Sequence, residues 1–318
     1  MIDKNFIINN SFILTEGAII ERLRHEYKLN LNNELLNAAM VLDLKKKMIL
    51  EQIYKEYIDI AVKFRVPIFI FTPTWKVNIK SCNREKENFA DLMRQCCEFT
   101  YEIKNKYVIH DTIYIGGLMG VSNDSYNPLT SLSIEDSYNF HRYTVKEFVK
   151  NEKYIDFLIA STLPGFTESF GIAKAISDFS IPYFLSFVIR DNGETLDGKL
   201  ITNVIEYIDN NVENIPLGYM INCVHPQNVF NGFENISKKM PDKKKYLSRI
   251  KGIQGNTSKL SPEKLDCSTI TYKDDPLSFA CDMLKLKNAY NLNIFGGCCG
   301  TDKSHIYSIA DLFLNNIS

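Results

Sequence analysis

No stretch of about 18 consecutive apolar residues occurs in the chain, so no segment reads as a membrane-spanning helix. The opening residues, MIDKNFIINNSFIL, contain neither an extended apolar core nor a small-residue cleavage site. The expectation is a chain without a secretory leader that stays in the cytoplasm. Net charge is nearly absent as well: 37 Lys and Arg stand against 38 Asp and Glu, a formal −1. No field of one sign draws the chain toward nucleic acid or an anionic membrane. A short basic cluster, Lys243 to Lys245, reads as a solvated loop. Low-complexity tracts and repeats of solenoid period are missing. So is any GxGxxG after an apolar run, which removes the fingerprint of a dinucleotide-binding sheet. The expected partners are small molecules, and nothing in the sequence assigns an oligomeric state.

What is present is a rhythm. Of the 318 residues, 45% are hydrophobic, enough for a sizeable core. Short apolar runs alternate with longer amphipathic stretches. The runs predict strands at Phe12–Leu14, Pro67–Phe71, Thr112–Ile115, Tyr154–Ile159, Tyr183–Val188, Leu217–Ile221, Ile250–Gln254 and Leu292–Phe295. They are continuous rather than alternating, as in strands buried on both faces of a parallel sheet. Helices are predicted at Lys45–Phe64, Glu87–Lys106, Ser133–Lys150, Phe166–Asp178, Lys199–Asp209, Gln227–Lys239, Pro276–Ala289 and Lys303–Phe313. Ser133 and Asp275 stand where N-caps belong. Eight strands alternating with helices predict a (β/α)₈ TIM barrel, one domain over residues 1–318. A doubly wound open sheet is the alternative. Polar and glycine-rich signatures follow the strand runs, at Glu16-Gly17, Thr72 to Thr74, Gly116-Gly117, Ser161-Thr162, Asn222-Cys223, Gly255-Asn256 and Gly296 to Gly300. In a barrel these positions ring one mouth.

Eight cysteines without a leader point to free thiols, metal binding or catalysis before a disulfide scaffold. Cys298 and Cys299 follow an apolar run and two glycines. Adjacent side chains alternate across a strand, so this pair belongs on a turn. Cys223 ends another run. Strand ends at one mouth bring the three sulfurs together, and three thiolates suit Zn²⁺ with a fourth position open for substrate. A closed structural site with Cys267 or Cys281 as fourth ligand is the competing reading. Cys96-Cys97, mid-helix with no flanking glycine, reads as structural, and Cys82 as part of a polar loop.

These blocks resemble the homocysteine S-methyltransferase family over roughly residues 12 to 313. GGCCG at 296–300, followed by Thr301 and His305-Ile306, looks like the family's cysteine-pair block, and INCVHP at 221–226 like the block supplying the third ligand. Glu16-Gly17 stands at the family's Asp-Gly turn; Phe71 to Trp75 and His141-Arg142 are looser matches. The resemblance implies a barrel enzyme with catalytic Zn²⁺ on Cys223, Cys298 and Cys299, transferring methyl from a small donor to homocysteine, and Glu16, Gly17, Ser161, Thr162 and Asn222 as substrate contacts. Coordination would present the acceptor sulfur as a thiolate. Ser161 stands where the family carries a glutamate for the amino group, and Pro73 where asparagine is usual. Glu168, a helix residue by pattern, reads as solvated surface, as N-terminal helix charge or as partial compensation. The departures leave an alternative, a diverged or non-catalytic thiol-binding zinc barrel. A chain filled by one barrel leaves no room for a cobalamin or folate module, so S-methylmethionine or S-adenosylmethionine is the expected donor. Trp75, Tyr126 and Phe187 are candidates for an aromatic pocket around a cationic donor.

Overall fold

The computed structural model describes residues 2–260 and 274–315. Eight parallel strands close into a barrel: β1 (Ile13–Thr15), β2 (Ile68–Phe71), β3 (Ile113–Met119), β4 (Phe157–Leu163), β5 (Tyr183–Phe187), β6 (Gly218–Asn222), β7 (Ile250–Gly255) and β8 (Ile294–Gly297). Closure is made by β1 on β8, with Ile13 opposite Ile294 and Leu14 opposite Phe295. An open doubly wound sheet is thereby excluded. The described α-helices are α1 (Lys4–Asn9), α2 (Ile20–His25), α3 (Leu44–Phe64), α4 (Ile79–Glu85), α5 (Phe89–Asn105), α6 (Ile134–Lys150), α7 (Phe166–Ser177), α8 (Ile201–Asn211), α9 (Pro226–Lys239), α10 (Lys244–Leu247), α11 (Pro276–Tyr290) and α12 (Lys303–Asn315). None of the described helices is long and apolar enough to cross a membrane.

Local chemistry accounts for the boundaries. Ser133 Oγ accepts the N–H of Asp136 at the start of α6, and the Asp275 carboxylate accepts that of Ser278 at the start of α11. Both are the caps the pattern predicts. Asp43 caps α3 through Lys45 and Lys46. Cys82 departs from expectation: it is buried in α4, facing the core with Cys96 and Cys97 of α5. Asn78 starts that helix with a reciprocal capping pair to Ser81, a signal the sequence contained and the reading as a polar loop missed.

Inside the barrel, Ile13, Phe69, Phe71, Phe157, Ile159, Phe184, Met220 and Ile294 form a packed interior. The N-terminal segment closes the foot of the barrel. Ile2 and Ile7 are buried in the same cluster, and the Phe6 ring lies 4.5 Å from that of Tyr114. The cavity therefore lies at the other end, where the strands finish.

Two strand ends need correction. β3 continues through Gly116-Gly117 to Met119, so these glycines lie in the wall and not at the mouth. A Cβ on Gly116 would come within 2.7–2.9 Å of the Phe71 and Phe157 rings. The missing side chain is the space those rings fill. β4 begins at Phe157, because Glu152–Tyr154 forms a 3₁₀ turn, and it includes Ser161 and Thr162. Its register against β5 shifts between Ala160 and Leu163, and Thr162 has φ +62°. This bulge turns the end of β4 toward the mouth. Gly116→Val overpacks the interior and should destabilise the fold by about 1–3 kcal/mol, read as a lowered midpoint in urea unfolding.

Candidate active site

The mouth holds a cavity of about 470 Å³. Most of the residues predicted to meet there do so: Glu16, Gly17, Trp75, Tyr126, Ser161, Thr162, Asn222, Cys223, Cys298 and Cys299 all line it. Phe187 does not. It is fully buried at the end of β5, with its ring 6.3 Å from that of Tyr219, and forms core instead of pocket. The outward-facing positions of a barrel strand pack against helices.

Three sulfurs form the floor on one side. The Sγ atoms of Cys223, Cys298 and Cys299 all lie within 4.8 Å of one another. Strand β7 is the splint that brings them together. The carbonyl of Gln254 accepts the Cys223 N–H at 3.0 Å, and that of Gly255 accepts the Cys298 N–H at 2.7 Å. The pair sits on a turn, as the adjacency requires. Gly300 takes φ +79°, and its N–H donates to the Glu21 carboxylate. Thr301 Oγ1 donates to the Cys298 carbonyl at 2.6 Å and accepts the Ala18 N–H at 3.1 Å, tying the turn to the segment after β1. Cys223 itself holds φ +55°, an uncommon conformation for a non-glycine residue. Asn256 Nδ2 supports it by donating to its carbonyl at 2.9 Å.

The sulfurs of Cys223 and Cys298 touch at bonding distance, with their Cα atoms 5.4 Å apart. The sequence reading makes these two sulfurs metal thiolates, and their close approach belongs to a convergence that includes Cys299 as well. A disulfide accounts for two of the three sulfurs; a thiophilic cation accounts for all three. Burial, reinforced by the Glu21 carboxylate, pushes the Cys299 thiol pKa well up. A thiolate there calls for a compensating positive charge, and the donor set fits one. Cys281, by contrast, is exposed on α11 and stands apart from the group. Cys267 lies outside the described residues.

Behind the cysteine loops, His225 and His305 both reach Asp274. His225 Nδ1 accepts the Gln227 N–H at 3.1 Å, which leaves Nε2 as the donor to the Asp274 carboxylate at 2.7 Å. Burial holds the His225 pKa down, in keeping with a neutral ring. His305 Nε2 lies 3.1 Å from the Asp274 carbonyl.

Across the cavity, Asn222 is a three-way joint. Its Oδ1 accepts the Thr162 N–H at 3.0 Å and the Ser186 hydroxyl at 2.7 Å, and its Nδ2 donates to Thr162 Oγ1 at 2.9 Å. It fastens the β4 bulge to β6, one residue before Cys223. Ser161 lines the cavity beside it, its carbonyl 3.4 Å from Trp75 Nε1. Glu16 is buried, and its Oε2 accepts the Phe71 N–H at 2.9 Å. Burial raises its pKa well above the ordinary carboxylate range. Gly17 is required by contact: a Cβ there would sit 2.8 Å from the Tyr57 hydroxyl, which donates to the Ala18 carbonyl at 2.7 Å.

Sequence reasoning missed Glu21, Arg24 and His25, which α2 brings to the rim, and Gln254, Thr257 and Ser258 beside the cysteines. The stretch ERLRH directly after the Glu16-Gly17 turn was the available signal for the first three. Glu168 was misread. It is 1% exposed and bonded to Ser122, Leu132 and His141, neither on the surface nor in the cavity wall.

Comparison with known proteins follows this geometry. Residues 13–313 match the family model described as homocysteine S-methyltransferase. The metallated form of the homocysteine methyltransferase MmuM from Escherichia coli superposes with TM-score 0.74 at 16% identity, covering 97% of this chain and 98% of that one. Its apo form gives TM-score 0.66 at 16% identity, over 96% and 97%. At this identity the likeness concerns the fold. No curated protein matches the chain in sequence.

The buried Glu16 carboxyl makes a pH prediction. Its folded pKa is raised, so ionisation costs folding stability increasingly as pH climbs from the unfolded carboxylate value of about 4.3 toward the folded one. Glu16→Gln keeps an acceptor for the Phe71 N–H and removes that cost. The variant should match the parent in thermal melts near pH 4 and exceed it near pH 8. A stability gap that does not widen with pH would show that Glu16 is not held neutral.

Proposed function

The chain belongs to the homocysteine S-methyltransferase family, and on that footing we propose that it moves a methyl group from a small sulfonium donor to the sulfur of homocysteine, forming methionine. The observation carrying this reading is the convergence of three thiols from β6 and β8 at the open end of a closed barrel. Cys223, Cys298 and Cys299 would hold Zn²⁺, which when bound supplies the positive charge that keeps an acceptor sulfur ionised near neutral pH. In the transfer, a lone pair on the homocysteine sulfur forms the new bond to the methyl carbon. The bond from that carbon to the donor sulfur breaks with its electron pair, turning sulfonium into thioether. The thiol proton is released before the transfer.

The protein's own groups do the positioning. Asn222 and Gln254 set the backbone from which Cys223 projects. The turn after β8 is held by Thr301 and Glu21, so the cysteines are fixed before any ligand arrives. Trp75 and Tyr126 give the cavity aromatic faces toward which a sulfonium is drawn. The hydroxyl of Ser161 and the Glu16 carboxyl, whose pKa burial raises, offer hydrogen-bonding groups to an amino-acid substrate. S-methylmethionine or S-adenosylmethionine is the donor this reading expects, in the cytoplasm, in methionine formation.

Purified protein should contain about one zinc per chain by elemental analysis, and Cys223→Ala, Cys298→Ala and Cys299→Ala should each lose it. Incubated with homocysteine and S-methylmethionine, the parent should yield methionine and the three variants should not. The altered-substrate reading draws on Ser161: zinc at full occupancy, with no product from any of a panel of methyl donors, would sink the methyl-transfer reading and leave a thiol-binding barrel. In that case a shift of the zinc absorption edge on adding homocysteine would still report sulfur binding.

A further inference from the structure

The connection between β3 and α6, residues 122–132, carries Tyr126 onto the cavity wall. It is knit by bonds of its own. The Asp124 carboxylate accepts the Tyr126 N–H at 2.8 Å, Asn123 Nδ2 donates to the Thr130 carbonyl at 2.9 Å, and Thr130 Oγ1 donates to that of Asn127 at 2.8 Å. Such a loop moves as one piece, and what decides its position is how its ends are fastened.

Both ends are fastened to one carboxylate. Glu168 Oε1 accepts the Ser122 N–H at 2.6 Å, and Oε2 accepts the Leu132 N–H at 3.2 Å. His141 Nε2, on α6, lies 2.9 Å from Oε1. Glu168 is 1% exposed and His141 2%. Burial by itself would raise the Glu168 pKa, but the bonds from His141 and Ser122 outweigh it and carry the value below the ordinary one. A buried carboxylate is expensive unless its oxygens are fully used, and here three donors use them. Few side chains offer two acceptor oxygens on one fork. At its start the loop also borders Trp75. A Cβ on Gly120 would lie 2.7 Å from the Trp75 Nε1, and Lys76 Nζ donates to the Asn123 carbonyl at 3.1 Å.

We infer that Glu168, backed by His141, is a positioning residue for methyl transfer: it pins both ends of residues 122–132 so that Tyr126 stands against the cavity opposite Trp75 and sets the affinity for the cationic donor. The inference rests on the methyl-transfer reading for its substrate but not for its mechanics. Glu168 touches neither the cavity nor the cysteines.

Glu168→Gln puts an amide NH₂ against one of the two loop N–H groups, so one end is released. The KM for S-methylmethionine should rise on the order of tenfold, the loss of one charged hydrogen bond, with kcat held within a factor of about two. Trp75 is the sole tryptophan of the chain, and acrylamide should quench it more readily in the variant without any substrate present. Glu168→Asp, with two oxygens on a shorter arm, should recover part of both effects. Tyr126→Ala leaves the clamp intact and should raise the same KM, which keeps the idea testable if Glu168→Gln does not fold. A folded Glu168→Gln with parental KM and parental quenching overturns the inference, as does Tyr126→Ala with an unchanged KM. If the parent transfers no methyl group from any donor, that failure belongs to the functional reading; unchanged quenching in Glu168→Gln would then overturn the clamp on its own.

Discussion

Two consecutive carbonyls at the end of β7 hold the mouth together. Gln254 takes the N–H of Cys223 and Gly255 takes that of Cys298, so one strand end sets the spacing of two cysteine-bearing strands. The pairing depends in turn on barrel closure. Only because β8 also lies on β1 does the turn after β8 meet the segment that contains Glu16, Ala18 and Glu21. In an open sheet the same residues would stand at two edges, and no cavity would form between them.

The cysteine geometry has a local cost. Cys223 and Thr162 both hold positive φ, in a region where a side chain is crowded by its own backbone. Asn222 bonds across to Thr162 on one side and precedes Cys223 on the other. The strain is met by hydrogen bonds on the strained residues: Asn222 holds Thr162, and Gln254 and Asn256 hold Cys223. Such an arrangement gives sulfurs a direction that a relaxed strand end would not. It also explains why an asparagine stands here: its amide both accepts and donates, and the site uses each capacity.

Much of this was legible in the sequence. Eight apolar runs predicted the eight strands, and the polar residues after them predicted the mouth. The turn at Cys298-Cys299 followed from alternation alone, and its confluence with Cys223 from strand ends sharing a mouth. Failures have physical causes. Gly116-Gly117 read as a strand end because glycine weakens an isolated strand, yet the Phe71 and Phe157 rings occupy the space it leaves. Phe187 read as a pocket aromatic because pattern says nothing of which face a strand-end residue takes when a bulge lies beside it. Glu168 read as solvated surface or N-terminal helix charge; it does stand in the first turn of α7, but buried. Nothing local in the sequence announces that two loop N–H groups and a histidine converge on it from residues 122, 132 and 141.

The stopper at the foot of the barrel has a further consequence. Phe6, Ile2 and Ile7 plug the end away from the cavity, and Phe69, Phe157 and Phe184 fill the axis above them. With that end filled, the cavity opens where the strands finish. A molecule beside the cysteines on the cavity floor therefore lies beneath anything held nearer the rim by α2.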